Sequence, residues 1–168
     1  MEQELRRRID ELLARHTTAT VSTCGPEGPW AAAVFYVHDQ DLSLYFLTDP
    51  ATRHGRDLVC GGQAAAAIHQ DGQDWREIRG LQIVGAAARV RGARATARAW
   101  KLYLAKFPFV AQFMAAPGTF LGAYSGAMGK VRFFCLKPSR VWITDNRRSF
   151  GLRDVYDLAQ PAEDSAPF

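Results

Sequence analysis

Apolar positions along the chain follow two rhythms, and each change of rhythm marks an element. From Glu2 to Arg15, Leu5, Ile9, Leu12 and Leu13 fall on one stripe with charges elsewhere, which predicts an amphipathic helix over 2–15. Thr17 to Thr23 then alternates with period two and is rich in β-branched residues. It ends in the turn-dense run Cys24-Gly25-Pro26-Glu27-Gly28-Pro29. Trp30 to Val37 resumes as a strand, His38-Asp39-Gln40-Asp41 turns it, and Leu42 to Thr48 alternates again, so the two strands predict a hairpin. Gln63 to His69 and Ile78 to Arg91 are two further strands. Gly85 inside the second predicts a bulge or the close approach of a partner. Arg94 to Lys106 reads as a helix with Ala97, Trp100 and Leu104 inward and Arg94, Arg98 and Lys101 outward. After Pro108, Val110 to Ala115 predicts a short helix stopped by Pro117-Gly118. Lys130 to Leu136 and Arg140 to Thr144 read as the last two strands, joined through Lys137-Pro138-Ser139.

Six or seven strands broken by short helices fit a mainly β (α+β) antiparallel barrel with helical additions better than a βαβ sheet. With 168 residues, 48% of them apolar, one core is the expectation: a single domain over 1–158. The tail 159–168 holds Pro and acidic residues with little to bury, and is expected to be poorly ordered. Small and Gly-rich residues over 118–129 are compatible with a loop over a site or with a subunit contact.

The stretch from Leu42 to Leu58 organises the rest. Its strand breaks at Asp49-Pro50, which reads as a helix start, with Asp capping free N–H groups and Pro at the first helical position. Thr52, Arg53 and His54 then place a hydroxyl, a fixed cation and an imidazole on the first turn, a setting that suits a phosphate. A plain corner with Arg53 and His54 in solvent accounts for the same three residues.

Charge and cysteine usage narrow the classes. The net charge of +4 is uneven: Ala86 to Lys106 holds Arg89, Arg91, Arg94, Arg98, Lys101 and Lys106 and no acid. A solvated face explains this block, and no nucleic-acid motif stands beside it, so nucleic acid is not an expected partner. Cys24, Cys60 and Cys135 have no CxxC or CxxH neighbour and are expected to be reduced, mostly buried thiols. The histidines at 16, 38, 54 and 69 make no ligand spacing, so no metal is expected; His38 and His69 read as surface residues. No apolar run has bilayer length, and Glu2, Glu4 and Arg6 to Arg8 leave no room for a signal core. The expectation is a soluble, cytoplasmic protein.

Several short motifs occur in order: Thr52-Arg53-His54, Ile78-Arg79-Gly80 with Gln82 and Gly85, Phe107-Pro108, Thr144-Asp145-Asn146 and Phe150-Gly151. Together they resemble the FMN-binding split-barrel family related to pyridoxamine 5′-phosphate oxidase, and within it a small bacterial subfamily. The resemblance spans roughly Thr17 to Gly151. It implies a six-stranded split barrel and a homodimer with FMN in the groove between subunits. Ala32, Ala33, Val34 and Phe35, with Leu47 and Thr48, would line the flavin ring and ribityl chain. Thr52, Arg53 and His54 would hold the phosphate. Gln82 would touch the flavin, or else face solvent or a neighbouring subunit.

Two departures lower the FMN affinity to be expected. Where the oxidase pattern has a Lys after the phosphate-binding Arg, this chain has His54, and where it has an Arg in the second strand, this chain has Ala32. The C-terminal substrate signature of the true oxidases is absent, so authentic pyridoxamine phosphate oxidase activity is not expected. The readings carried forward are an FMN-dependent oxidoreductase acting on a small molecule, a non-catalytic flavin or haem binding or storage protein, and a deazaflavin (F420) reductase. No catalytic residue stands out, which suits chemistry carried by a cofactor.

Overall fold

The computed structural model describes residues 1–72, 74–111 and 129–158. Six strands close an antiparallel ring: β1 (Thr18–Gly25), β2 (Gly28–His38), β3 (Leu44–Thr48), β4 (Gly62–His69), β5 (Arg79–Arg89) and β6 (Arg132–Asp145). Their order around the ring is β3-β2-β1-β4-β5-β6, and β3 pairs again with β6. A seventh strand, β7 (Arg153–Asp157), adds to β6 outside the ring. Helices α1 (Glu2–Arg15), α2 (Arg53–Val59) and α3 (Ala93–Lys106) flank the barrel. The mainly β barrel read from the sequence is the fold observed.

The period-two alternation sends one face of each strand inward. Val21, Tyr36, Leu44, Phe46, Ile68, Leu81, Ile83, Phe134, Leu136 and Val141 fill the interior, joined by Ile9, Leu12 and Leu13 of α1 and Leu58 of α2. A second cluster lies outside the wall, where Val37 and Phe133 pack on α3. The inner face of α3 differs from the expectation: Ala99 and Tyr103 are buried and Ala97 is exposed. Aromatic packing decides the helix phase, because Tyr103 and Trp100 both meet Phe133, with ring centroids 5.5 and 4.9 Å away.

The turn between β2 and β3 is organised by one buried carboxylate. Asp39 Oδ1 accepts from the backbone N–H groups of Asp41 and Ser43, and its Oδ2 accepts from Tyr45 Oη at 3.1 Å and Arg98 Nη2 at 3.0 Å. Asp39 thereby ties α3 to the hairpin. His38 is half-buried and 3.0 Å from Asp10, not a free surface residue, and Cys24 and Cys60 are exposed where burial was expected.

The last two expected strands are one. β6 runs through Lys137-Pro138-Ser139 without a break, and the register jumps opposite Val84 and Gly85, leaving Ser139 as the extra residue. Pro138 is tolerated because a bulge asks for no ladder donor there. Gly85 is required for the same reason, since a Cβ at this position would lie 1.9 Å from the Lys137 carbonyl oxygen. Of the stretch over 118–129 only Gly129 is described; the tail 159–168 and most of the short helix expected from Val110 also lie outside the described residues.

Replacing Gly85 by Ala forces the two strands apart at the bulge. We expect a loss of about 3 kcal/mol, at the upper end for overpacking, read as a lower urea midpoint with an unchanged m value. An unchanged midpoint would show that the bulge yields at no cost.

Candidate functional site

The ring closes unevenly. β2 pairs with β1 from Gly28 to Phe35 and with β3 only at Tyr36, Val37 and His38. β3 is five residues long and its whole length is committed to β6. From Gly28 to Phe35, the edge of β2 away from β1 therefore has no strand beside it among the described residues, and this is where the barrel splits. Backbone groups along such an edge are available to a ligand.

Two expected site residues on β2 and one on β3 face outward at this split. Ala33 and Phe35 are exposed, Phe35 by 47%, and Leu47 is half-buried. Phe107 and Phe109 stand edge-on to Phe35, with centroids 5.3 and 6.3 Å away, and wall one side of the face. Ala32 is half-buried, while Val34 and Thr48 point into the barrel and support the face from behind.

The corner after β3 differs in detail from its sequence reading. The helix begins at Arg53, and Thr52, not Asp49, is its N-cap, with Oγ1 accepting from Gly55 N–H at 3.2 Å and donating to the Asp49 carbonyl at 2.7 Å. A Cβ on Gly55 would sit 2.3 Å from that same carbonyl, so the chain can fold this tightly only with glycine there. Gly61, at φ +80, ends the helix in the left-handed conformation that glycine adopts without strain.

The three residues of the basic turn part company. Arg53 lies across the β1–β2 turn, donating to the carbonyls of Glu27 and Gly28 with its guanidinium 4.8 Å from the centre of the Trp30 ring. Its Nε is buried and has no partner among the described residues. α2 is fixed against the same turn by Arg56 on Glu27 at 2.8 Å and by Thr23 on Asp57 at 2.6 Å. His54 instead turns inward: its Nε2 is 2.6 Å from Thr48 Oγ1 and its Nδ1 is buried without a partner among the described residues. Burial lowers its pKa against the opposing pull of Asp57, so the imidazole is neutral at pH 7 and supplies no charge for an anion. Gln82 is exposed on the outside of β5, opposite β2 in the ring, and does not converge with the other residues within one chain.

The remaining motifs gather at the start of β5 and the end of β6. Asp145 takes Arg79 Nε at 3.1 Å and Arg147 Nη2 at 3.1 Å. Burial alone would raise its pKa, but the hydrogen bonds and charges of Arg147 and Arg79 hold it below the usual carboxylate value. Asn146 Nδ2 donates to the Trp75 carbonyl at 2.8 Å, and Trp75 meets Phe150 edge-on at 4.9 Å. These residues fasten two strand ends. Sequence reasoning missed the aromatic wall of Phe107 and Phe109 and the part of Trp30. The Phe107-Pro108 motif was the available signal for the first; nothing local signalled the second.

Open-edged β2 and the short β3 define this six-stranded ring as a split barrel. The family model for pyridoxamine 5′-phosphate oxidase matches residues 5–145, and the chain belongs to that family. A UPF0306 protein of Klebsiella pneumoniae is 31% identical over 144 residues, covering 85% of this chain and 86% of its own. Among solved structures, a Clostridium acetobutylicum protein of the pyridoxinephosphate oxidase family, related to general stress protein 26, superposes with a TM-score of 0.63 at 14% identity over 94% of this chain and 97% of its own. The haem storage protein HutZ of Vibrio cholerae superposes with a TM-score of 0.59 at 18% identity, over 80% and 89%. At such identities the two structures show the shared fold. Among the described residues no helix is long and apolar enough to cross a membrane.

The buried histidines set a pH limit. His54 has a folded pKa below the unfolded value near 6.5, and burial, the largest cause in each, lowers His16 and His38 too. Above about pH 6.5 neither state binds these protons. Below it the unfolded chain takes them up first, so stability falls until the folded pKa values are reached. We expect the melting temperature to decline from about pH 6.5 downward, less steeply in His54→Gln. Parallel curves for the two proteins would show that His54 does not contribute.

Proposed function

We propose that the chain binds FMN on the outer face of β2 and β3 at the split and serves as a flavin-dependent oxidoreductase on a small-molecule substrate. The observation that carries this reading is the open edge of β2 beside an exposed apolar face, with Ala33 leaving room for a flat ring and Phe35 and Leu47 offering it apolar surface. Bound FMN would supply the hydride or electron chemistry. Ala33, Phe35 and Leu47 would take the ring, the β2 backbone its polar edge, and Arg53 the phosphate through its guanidinium at the rim of that edge. Thr52 would aid by fixing the start of α2, and Thr48 and His54 by keeping that corner rigid from inside. With His54 neutral and Ala32 in a cation's place, Arg53 is the one expected site residue that brings a charge, so affinity is modest. A second copy of the chain covering this face would shield the ring from water, which makes a homodimer part of the proposal.

Haem on the same face is the second reading. Its supporting observation is His16, whose buried Nε2 has no partner among the described residues and which lines, with His69 and Ala33, a cavity of about 300 Å³. Either imidazole is a suitable axial ligand.

Flavin fluorescence quenching separates these readings. Arg53→Ala should weaken FMN binding by about 1.5–3 kcal/mol, the value of a charge-assisted hydrogen bond. Ala33→Phe, a change at an exposed position, should obstruct the face and weaken binding at least as much. Wild-type affinity in both variants would remove FMN from this face, and a haem absorption band abolished in His16→Ala would put haem in its place.

A further inference from the structure

A cavity of about 730 Å³ opens between the start of α3 and the adjoining ends of β5 and β6. Its charged lining is Arg89, Arg91 and Arg132, and no carboxylate lines it among the described residues. None of the three arginines has an ion-pair partner there, in contrast to Arg56, Arg79, Arg98 and Arg140, each paired with an acid. Arg89 Nε is buried and lacks a hydrogen-bond partner among the described residues. Arg132 is steadied by Nη1 bonds to the carbonyls of Gly129 at 2.7 Å and Val131 at 2.8 Å.

Three fixed cations in one concavity repel each other, and folding brings them together without a compensating carboxylate among the described residues. The start of α3 adds to the same field. Gly92 caps it without a side chain, its first turn holds no acid, and the positive end of a 14-residue helix is left facing this region. Trp100, Leu47, Phe133, Val90 and Val131 supply the apolar part of the lining.

We propose that this cavity is a binding site for a small phosphate-bearing molecule, separate from the phosphate position at Arg53. Guanidinium groups match phosphate oxygens in bidentate geometry, and the volume lies within the range of small-molecule sites. A ring or alkyl portion of the ligand rests on Trp100. The concave shape favours a compact polyanion over a nucleic-acid backbone, which follows extended basic surfaces. The site does not depend on FMN: of the residues expected to touch the flavin, only Leu47 also lines it.

Isothermal titration of the full chain with inorganic pyrophosphate tests the assignment. The wild type should bind, and Arg89→Gln and Arg132→Gln should each weaken binding at least about tenfold, the scale of a lost charge-assisted contact. Arg56→Gln, an exposed arginine elsewhere, removes the same charge and should leave affinity within about twofold, since single exposed charges contribute little. Arg132 is itself exposed, so its replacement leaves the core intact, and a melt by circular dichroism verifies the fold of each variant. FMN titrations on the same variants report the flavin face separately. No pyrophosphate binding by the wild type, equal weakening by Arg56→Gln, or tight binding of duplex DNA with none of pyrophosphate would each overturn the proposal.

Discussion

Ring closure through β3 is the constraint on which the rest of the structure depends. Five residues pair along their whole length with β6 and at only three positions with β2, so one short strand both completes the barrel and leaves it split. Had β3 been as long as β2, the edge from Gly28 to Phe35 would be sealed and Ala33 and Phe35 would be an ordinary outer wall. The chain cannot extend β3, because the turn at Asp49 to Thr52 ends it and is held by Thr52 as N-cap and by the close fit of Gly55. The tight corner that sequence reading linked to phosphate therefore has a prior role: it stops the strand and so opens the face.

Position of charge follows from the same corner. α2 is lashed to the β1–β2 turn, and this brings Arg53 across to the carbonyls of Glu27 and Gly28 at the rim of the open edge. His54, one residue on, rotates by the helical angle and is carried into the barrel end, where desolvation keeps it neutral. Adjacent residues on a helix thus serve opposite sides: Arg53 lies outward over the β1–β2 turn, and His54 faces the packing inside. In relatives with a second cation at that place the balance would shift toward anion binding. Here the cations without an acidic partner among the described residues include Arg89, Arg91 and Arg132, which sit elsewhere.

Much of the fold was legible because alternation is local. The bounds of α1, the β2–β3 hairpin, the bulge at Gly85 and the glycine stop at Gly61 all follow from spacing and backbone sterics. Pro138 hid the continuity of β6, since a proline in a strand reads as a turn until the bulge opposite it is seen. The inward face of α3 was misplaced by about one residue, roughly a quarter turn, because Tyr103 and Trp100 choose their side by fitting Phe133, a partner some thirty residues away. For the site, the resemblance supplied Ala32 to Phe35, Leu47 and Thr48 as unbroken runs, and did not separate the outward Ala33, Phe35 and Leu47 from Val34 and Thr48, which point into the barrel. The inward turn of His54 was not legible, because a polar residue early in a short helix gives no sign of which way the helix packs. The grouping of Arg79, Asp145, Asn146, Trp75 and Phe150 was visible only as separate motifs; structure joins them into a clasp.

If FMN lies along the open edge of β2, as proposed, amide hydrogen exchange with and without FMN reports it at those residues. Both the Ala31 to Phe35 edge and β7 carry backbone groups on an unpaired edge, so β7 serves as an internal reference. Slower exchange at Ala31 to Phe35 when FMN is present, with β7 unchanged, is the predicted result. FMN bound to the protein with no change in exchange over Ala31 to Phe35 would contradict it.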